Sequence, residues 1–224
     1  MKSLLKNKKF ISVISLGIAL QLIQQFSGMN AVLYYAPAMF KSAGFSSLNS
    51  MNITVLIGVV NVISTFFALG FVEKIGRRKL LYISACMILA STITLALIFN
   101  PHASTAIATL SIICIMVFIC GFAIGYGPVV WILCSEIYPL RGREFGIMCS
   151  TAANWLGNSL IASYSLSLMT SIGTSHFFLL LAIFAVISLI VFIIFVPETK
   201  NISLETIEAN LWKGKRLRQL GQAA

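Results

Sequence analysis

Six carboxamides and one indole carry most of the chemistry open to this chain. Gln24, Gln25 and Asn30 fall in the first long apolar run, Asn61 in the second, and Asn154 and Asn158 in the fifth. Trp131 follows Gly127-Pro128 in the fourth. A carboxamide offers two N–H donors and an acceptor, so it pairs with a hydroxyl in either role. A buried amide without a partner costs roughly 1–3 kcal/mol, so several facing one cavity call for a polar ligand or water. An indole adds a flat apolar face and one donor. Amides around such a plate suit a neutral, hydroxyl-rich ligand, a sugar for instance. The alternative is that these amides bond helix to helix. For Asn61 and Asn158 alone both readings stay open. Gln24-Gln25 with Asn30 on an interrupted helix points to binding.

Ionisable groups are scarce in the same runs. There is no Asp, and the six acids, Glu73, Glu136, Glu144, Glu198, Glu205 and Glu208, lie at or beyond the ends of the runs. His102 falls in a loop and His176 near the start of the last run. A proton-coupled carrier normally keeps a carboxylate or His deep in the membrane, and this chain has none there. No nucleophile–base pair or phosphate loop is visible, which argues against an enzyme. The five Cys form no CxxC or Cys/His cluster, so neither metal, disulfide nor cofactor is expected.

The elements that must position these groups are membrane helices. Apolar runs cover residues 10–38, 51–72, 80–99, 105–133, 145–170 and 174–196. Each reaches the roughly 20 residues that cross a ~30 Å hydrocarbon core. With 58% hydrophobic and 10% charged residues, no room is left for a soluble domain. Fifteen of the sixteen Lys and Arg fill alternate gaps, before the first run and after the second, fourth and sixth; the other gaps hold only Lys41. Cytoplasmic loops retain Lys and Arg, so both termini are expected in the cytoplasm and the 41–50 and 100–104 loops outside. Topology also accounts for the net charge of +10, which removes nucleic acid as a partner and leaves the lipid bilayer. The first run is too long for a signal peptide and lacks a cleavage site.

The expected fold is therefore all-α, with a six-helix bundle over 1–196 and a basic amphipathic tail over 197–224. The runs divide into two triplets, 10–99 and 105–196. An odd number of spans per triplet makes the second enter the membrane in the opposite sense, as in an inverted repeat. The opening run of each triplet carries helix-weakening residues: Ser27-Gly28 in the first, and Gly121, Gly125 and Gly127-Pro128 in the second. Matching interruptions point to a midplane site, although Gly121 and Gly125, four apart, also suit close helix packing. In the tail, Ile202, Leu204, Ile207 and Leu211 recur at helical spacing, which predicts a short amphipathic helix on the inner face.

Motifs along the chain resemble one family. Gln24-Gln25-Phe26-Ser27-Gly28-Met29-Asn30 followed by Tyr34-Tyr35-Ala36-Pro37 resembles the seventh transmembrane helix of sugar porters in the major facilitator superfamily. Gly76-Arg77-Arg78 is similar to that family's loop between helices 8 and 9. Gly127-Pro128-Val129-Val130-Trp131 with Ser135-Glu136-Ile137 resembles helix 10, Asn154-Trp155 helix 11, and Pro197-Glu198-Thr199-Lys200 the tail after helix 12. The match covers the whole chain but only the C-terminal half of a twelve-helix fold. The loop at 138–146, the run at 149–155 and the basic tail resemble bacterial galactose– and arabinose–proton symporters more than xylose carriers, which commonly place Gln where Asn154 stands.

The resemblance implies roles. Gln24, Gln25 and Asn30 bond sugar hydroxyls, Asn61 and Asn154 complete the polar ring, Trp131 stacks on the sugar, and Gly127 lets it approach the backbone. Tyr34 and Tyr35 belong to an outer gate. Arg77, Arg78, Glu136 and Arg143 form a cytoplasmic ion-pair network that opens as two halves rock apart; the alternative for Arg77 and Arg78 is inside-positive charge alone. The implied function is the C-terminal half of a monosaccharide–proton symporter in a bacterial inner membrane, with the proton carrier on a separate N-terminal six-helix half. The alternatives are a non-transporting remnant of a split gene, or a membrane sugar-sensing or interaction protein.

Overall fold

A computed structural model describes residues 4–42, 47–98 and 105–222. The loop at 100–104, with His102, lies outside the described residues. The helices run in the order α1 (Lys8–Phe26), α2 (Met29–Ser42), α3 (Ser47–Ile75), α4 (Arg77–Ile98), α5 (Thr105–Gly121), α6 (Gly127–Glu136), α7 (Arg143–Ile172), α8 (Thr174–Phe195) and α9 (Leu204–Lys213).

Both expected interruptions are present, and each has a local cause. Between α1 and α2, Gly28 takes φ +88°, which a side chain rarely adopts. A Cβ there would also meet Leu181 of α8. Between α5 and α6 the chain widens into a π-helical turn over Phe122–Tyr126, a form that concentrates at functional sites. Ser84 of α4 pins this turn: its hydroxyl bonds the Gly121 carbonyl and accepts from the Tyr126 N–H at 3.3 Å. Gly125 permits that approach, since a Cβ would lie 2.8 Å from the Leu80 carbonyl. Gly121 and Gly125 thus act in packing against α4.

Five stretches are long and apolar enough to cross a bilayer: Lys8–Tyr35, Asn49–Ile75, Arg77–Ile98, Ala106–Glu136 and Thr174–Phe195. The six-span expectation meets that criterion only five times among the described residues. The difference is α7. Its 30 residues extend about 45 Å at 1.5 Å per residue, but its polar content lowers its apolarity. Ser150, Asn154 and Ser165 of α7 are buried, so part of this polarity points inward, while Ser159, Ser163 and Ser167 are exposed.

Buried Phe10, Leu20, Leu81, Phe118, Phe178 and Phe192 contribute to the core, and Tyr126 meets Phe192 edge-on at 5.3 Å between ring centres. Apolar side chains also point outward. Val55, Phe66 and Leu97 are 68%, 69% and 80% exposed, which suits hydrocarbon as the solvent. The predicted tail helix is α9, capped by Ser203, whose hydroxyl accepts from the Thr206 N–H. It is held against the bundle: Ile207 and Leu211 are buried, Lys9 Nζ donates to the Trp212 carbonyl at 2.6 Å, and the Leu140 N–H donates to Glu208 at 3.0 Å.

Candidate functional site

The amides divide into a locked set and an available set. Asn154 Nδ2 on α7 donates to Gln21 Oε1 at 2.6 Å and to Gln24 Oε1 at 2.7 Å, both on α1. Gln24 Nε2 in turn donates to the carbonyls of Tyr126 and Gly127 at 2.6 and 3.0 Å. Those carbonyls sit where the π-turn passes into α6. One continuous chain of hydrogen bonds therefore ties α1, α6 and α7 together at the interruption. Gln21, Gln24 and Asn154 are all buried, and a satisfied buried network rigidifies what it joins. In this state the donors of Gln24 and Asn154 are committed to protein, and Gly127 acts through its carbonyl.

Gln25 and Asn30 differ. Asn30 Nδ2 donates to Gln25 Oε1 at 2.7 Å across the Gly28 break. The Gln25 N–H groups and the Asn30 acceptor have no partner among the described residues. Gly157 of α7 lies against Gln25, with room for a Cβ only at 3.1 Å, so the Gln25 side chain is held in place from behind. Trp131 on α6 is 42% exposed and Tyr34 on α2 is 51% exposed. The Tyr34 hydroxyl is 3.5 Å from Asn158 Oδ1, and the Tyr35 hydroxyl donates to the Ala162 carbonyl at 2.8 Å. These contacts tie α2 to α7. Asn61 on α3 makes no hydrogen bond to this set; its carbonyl accepts from Thr65 Oγ1.

The ion-pair network expected at the cytoplasmic side centres on Arg77. Its guanidinium spans Glu73 on α3 and Glu136 on α6, with N–O distances of 2.7 Å to each. Thr199 Oγ1 donates to the second Glu136 oxygen at 2.6 Å. Glu198 caps α4, accepting from the backbone N–H of Arg77 and Arg78 at 3.0 and 3.1 Å, and from Lys200 N–H at 3.2 Å. A carboxylate at a helix N-terminus also complements the helix dipole. Gly76, at φ +96°, brings the loop against this carboxylate.

Two expected members stand outside the ion pairs. Arg143 opens α7, and the turn before it aims its guanidinium at the Tyr138 carbonyl, 3.4 Å from Nε and from Nη2. Arg78 lies over the Tyr82 ring and contacts its hydroxyl. Conversely, Gln21, Glu73, Glu198 and Thr199 join without having been singled out for these roles. Gln21 was legible as the residue one helical turn before Gln24. Glu73 stands four residues before Arg77.

Comparison with known proteins matches residues 1–211 to the family described as "Sugar (and other) transporter". The galactose-proton symporter of Escherichia coli K12 is 40% identical over 219 residues, 96% of this chain and 47% of that protein. The arabinose-proton symporter of the same strain is 40% identical over 220 residues, again 96% and 47%. Among solved structures, the major facilitator superfamily proton:xylose symporter XylE, bound to 6-bromo-6-deoxy-D-glucose, superposes with a TM-score of 0.75 at 30% identity, covering 92% of this chain and 42% of that one. The chain spans about half the length of the curated relatives it matches.

Proposed function

Because the chain belongs to the sugar transporter family of the major facilitator superfamily, we propose that it is the C-terminal half of a monosaccharide–proton symporter. Together with an N-terminal half it moves a galactose-, arabinose- or glucose-like sugar across a bacterial inner membrane by alternating access, with both of its termini in the cytoplasm. The observation that carries this reading is the pairing of Gln25 with Asn30 across the helix break, both retaining unpaired polar atoms, beside a scaffold of satisfied amides. A sugar hydroxyl donates to the Asn30 carbonyl and accepts from Gln25, and the exposed Trp131 face covers an apolar sugar face. Tyr34 and Tyr35 form an outer gate on α2, and Asn61 completes the polar ring from α3 when the halves close.

The Arg77–Glu136 pair serves as the inner latch. Two conformations with different sugar affinity are required for transport, and a second six-helix half supplies the surface against which this half rocks. Proton coupling belongs to that second half. The acids in α1 to α8 are Glu73, Glu136 and Glu144, all near helix ends, and the first two are engaged by Arg77.

Proteoliposomes test this. The chain alone is expected to give no proton uptake when galactose, arabinose, glucose or xylose is added. Co-reconstitution with the N-terminal half of a galactose-proton symporter is expected to restore sugar and proton fluxes together. Sugar-dependent alkalinisation by the 224-residue chain alone would overturn the half-carrier reading. Saturable sugar binding without flux, in a stable homodimer, would favour a sensor.

A further inference from the structure

Away from the amides, a cavity of about 890 Å³ opens at the end of the bundle that carries the basic tail. Its walls come from the start of α1, the start of α4, the end of α8 and the chain after α9. Five cations line it: Lys9, Arg78, Lys215, Arg216 and Arg218. The single acid in its wall, Glu198, is occupied by three backbone N–H groups. Both ion pairs among the described residues belong to Arg77, so no carboxylate pairs with any of the five.

Two of the cations, Lys9 and Arg78, are not merely solvated surface charge. Lys9 is fixed by its bond to the Trp212 carbonyl, which uses one of its three N–H donors. Arg78 is held by the Tyr82 ring and hydroxyl, and its Nε is buried without a hydrogen-bond partner. A buried N–H left without an acceptor is costly. The other walls are apolar, with Ile194 and Phe195 from the end of α8 and Leu211 and Leu217 from the tail. The cavity therefore joins a concentrated positive charge to a greasy wall at the level where the membrane-crossing part of α8 ends.

We propose that this cavity binds a phosphate-bearing anion, and that the apolar wall selects the headgroup and glycerol of an anionic phospholipid. Arg guanidinium forks match phosphate oxygens, and basic pockets on the cytoplasmic side of helix bundles recognise such headgroups. The site is separate from the sugar-binding amides, although Arg78 and Glu198 in its wall also border the Arg77 network.

Calorimetric titration of the detergent-purified chain tests it, with dihexanoyl-phosphatidylglycerol, dihexanoyl-phosphatidylcholine and inorganic phosphate as probes. Phosphatidylglycerol is expected to bind saturably at one site and phosphatidylcholine not to bind. A Lys215→Gln/Arg216→Gln/Arg218→Gln variant is expected to lose at least tenfold in affinity. A Lys6→Gln/Lys8→Gln variant, which removes two charges outside the cavity wall, is expected to keep it. If the triple variant does not fold, Lys215→Gln and Arg218→Gln singly are each expected to weaken binding. Phosphate that competes only weakly with phosphatidylglycerol assigns the site to lipid; phosphate that binds as tightly assigns it to the free anion. Equal binding of the two lipids, no saturable binding of either anion, or equal losses in the cavity variants and the Lys6/Lys8 variant would each overturn the proposal.

Discussion

Asn154 donates to Gln24 across the α1–α7 interface at 2.7 Å, and the same Gln24 holds the backbone of the π-turn through its other end. One side chain therefore links the two helices that frame the candidate site to the interruption in a third. Gln24→Leu is expected to leave the Tyr126 and Gly127 carbonyls without this donor and to lower stability by about 1–3 kcal/mol. Thermal unfolding in detergent, read by circular dichroism, checks this. Sugar affinity in the folded fraction is expected to fall as well, because the geometry of α6 loosens.

Gln25 has the opposite task from its neighbour. Gln25→Ala removes the acceptor of Asn30 and two free donors, so it is expected to weaken sugar binding by ~1–3 kcal/mol in a reconstituted two-half carrier. Its unfolding temperature should shift less than that of Gln24→Leu. Trp131→Ala is expected to hurt binding comparably through the lost aromatic face. Equilibrium dialysis with radiolabelled galactose measures both, and unchanged affinity in both would assign these residues to packing.

The two acids on Arg77 should differ in weight. The Glu136 side chain is 18% exposed and that of Glu73 64% exposed. An exposed ion pair contributes at most about 1 kcal/mol, whereas removing one partner of a buried pair costs ~3–5 kcal/mol. Glu136→Gln is therefore expected to destabilise the chain severalfold more than Glu73→Gln. In the two-half carrier it should also favour the inward-open state. Thiol accessibility at the inner ends of α4 and α6 reads that shift, and equal effects of the two variants would refute the ranking.

Orientation follows from the Lys/Arg split through the positive-inside rule. Single Cys residues at Ser47 and Ser104, in a Cys-less background, should react with an impermeant reagent from outside intact cells. Cys at Lys6 and Lys213 should react only after permeabilisation. The reverse pattern refutes the topology.

The helices and both interruptions were legible because hydropathy and Gly/Pro placement are local signals. The reading that Gly28 breaks α1 from α2 needed no tertiary information. What stayed hidden is partner choice. Gln24, Gln25 and Asn154 look alike in sequence, yet a donor's task depends on which carbonyl the fold brings near it, and the π-turn supplies two to Gln24. Arg143 was expected to share an ion-pair network with Glu136, but of the three arginines only Arg77, at the start of α4, reaches that acid. The polar residues of α7 had a similar effect: they weaken the apolar signal that marks the other spans, although only the fold shows that Asn154 among them is buried against α1.

Glu198 and Asn210 belong to the chain after α8: the first closes onto an earlier helix, and the second ties the tail to itself. Glu198 caps α4, while Asn210 Nδ2 holds the carbonyls of Leu220 and Gln222. Proteins emerge from the ribosome N-terminus first. Insertion of α1 to α8 must therefore proceed with the start of α4 uncapped and Arg77 facing Glu73 and Glu136 without the tail's contribution. This end of the bundle is completed only once the segment after α8 has been made. A nascent chain stalled after α8 is thus expected to be membrane-inserted yet more open to proteolysis at Gly76 than a chain that has added residues 197–222.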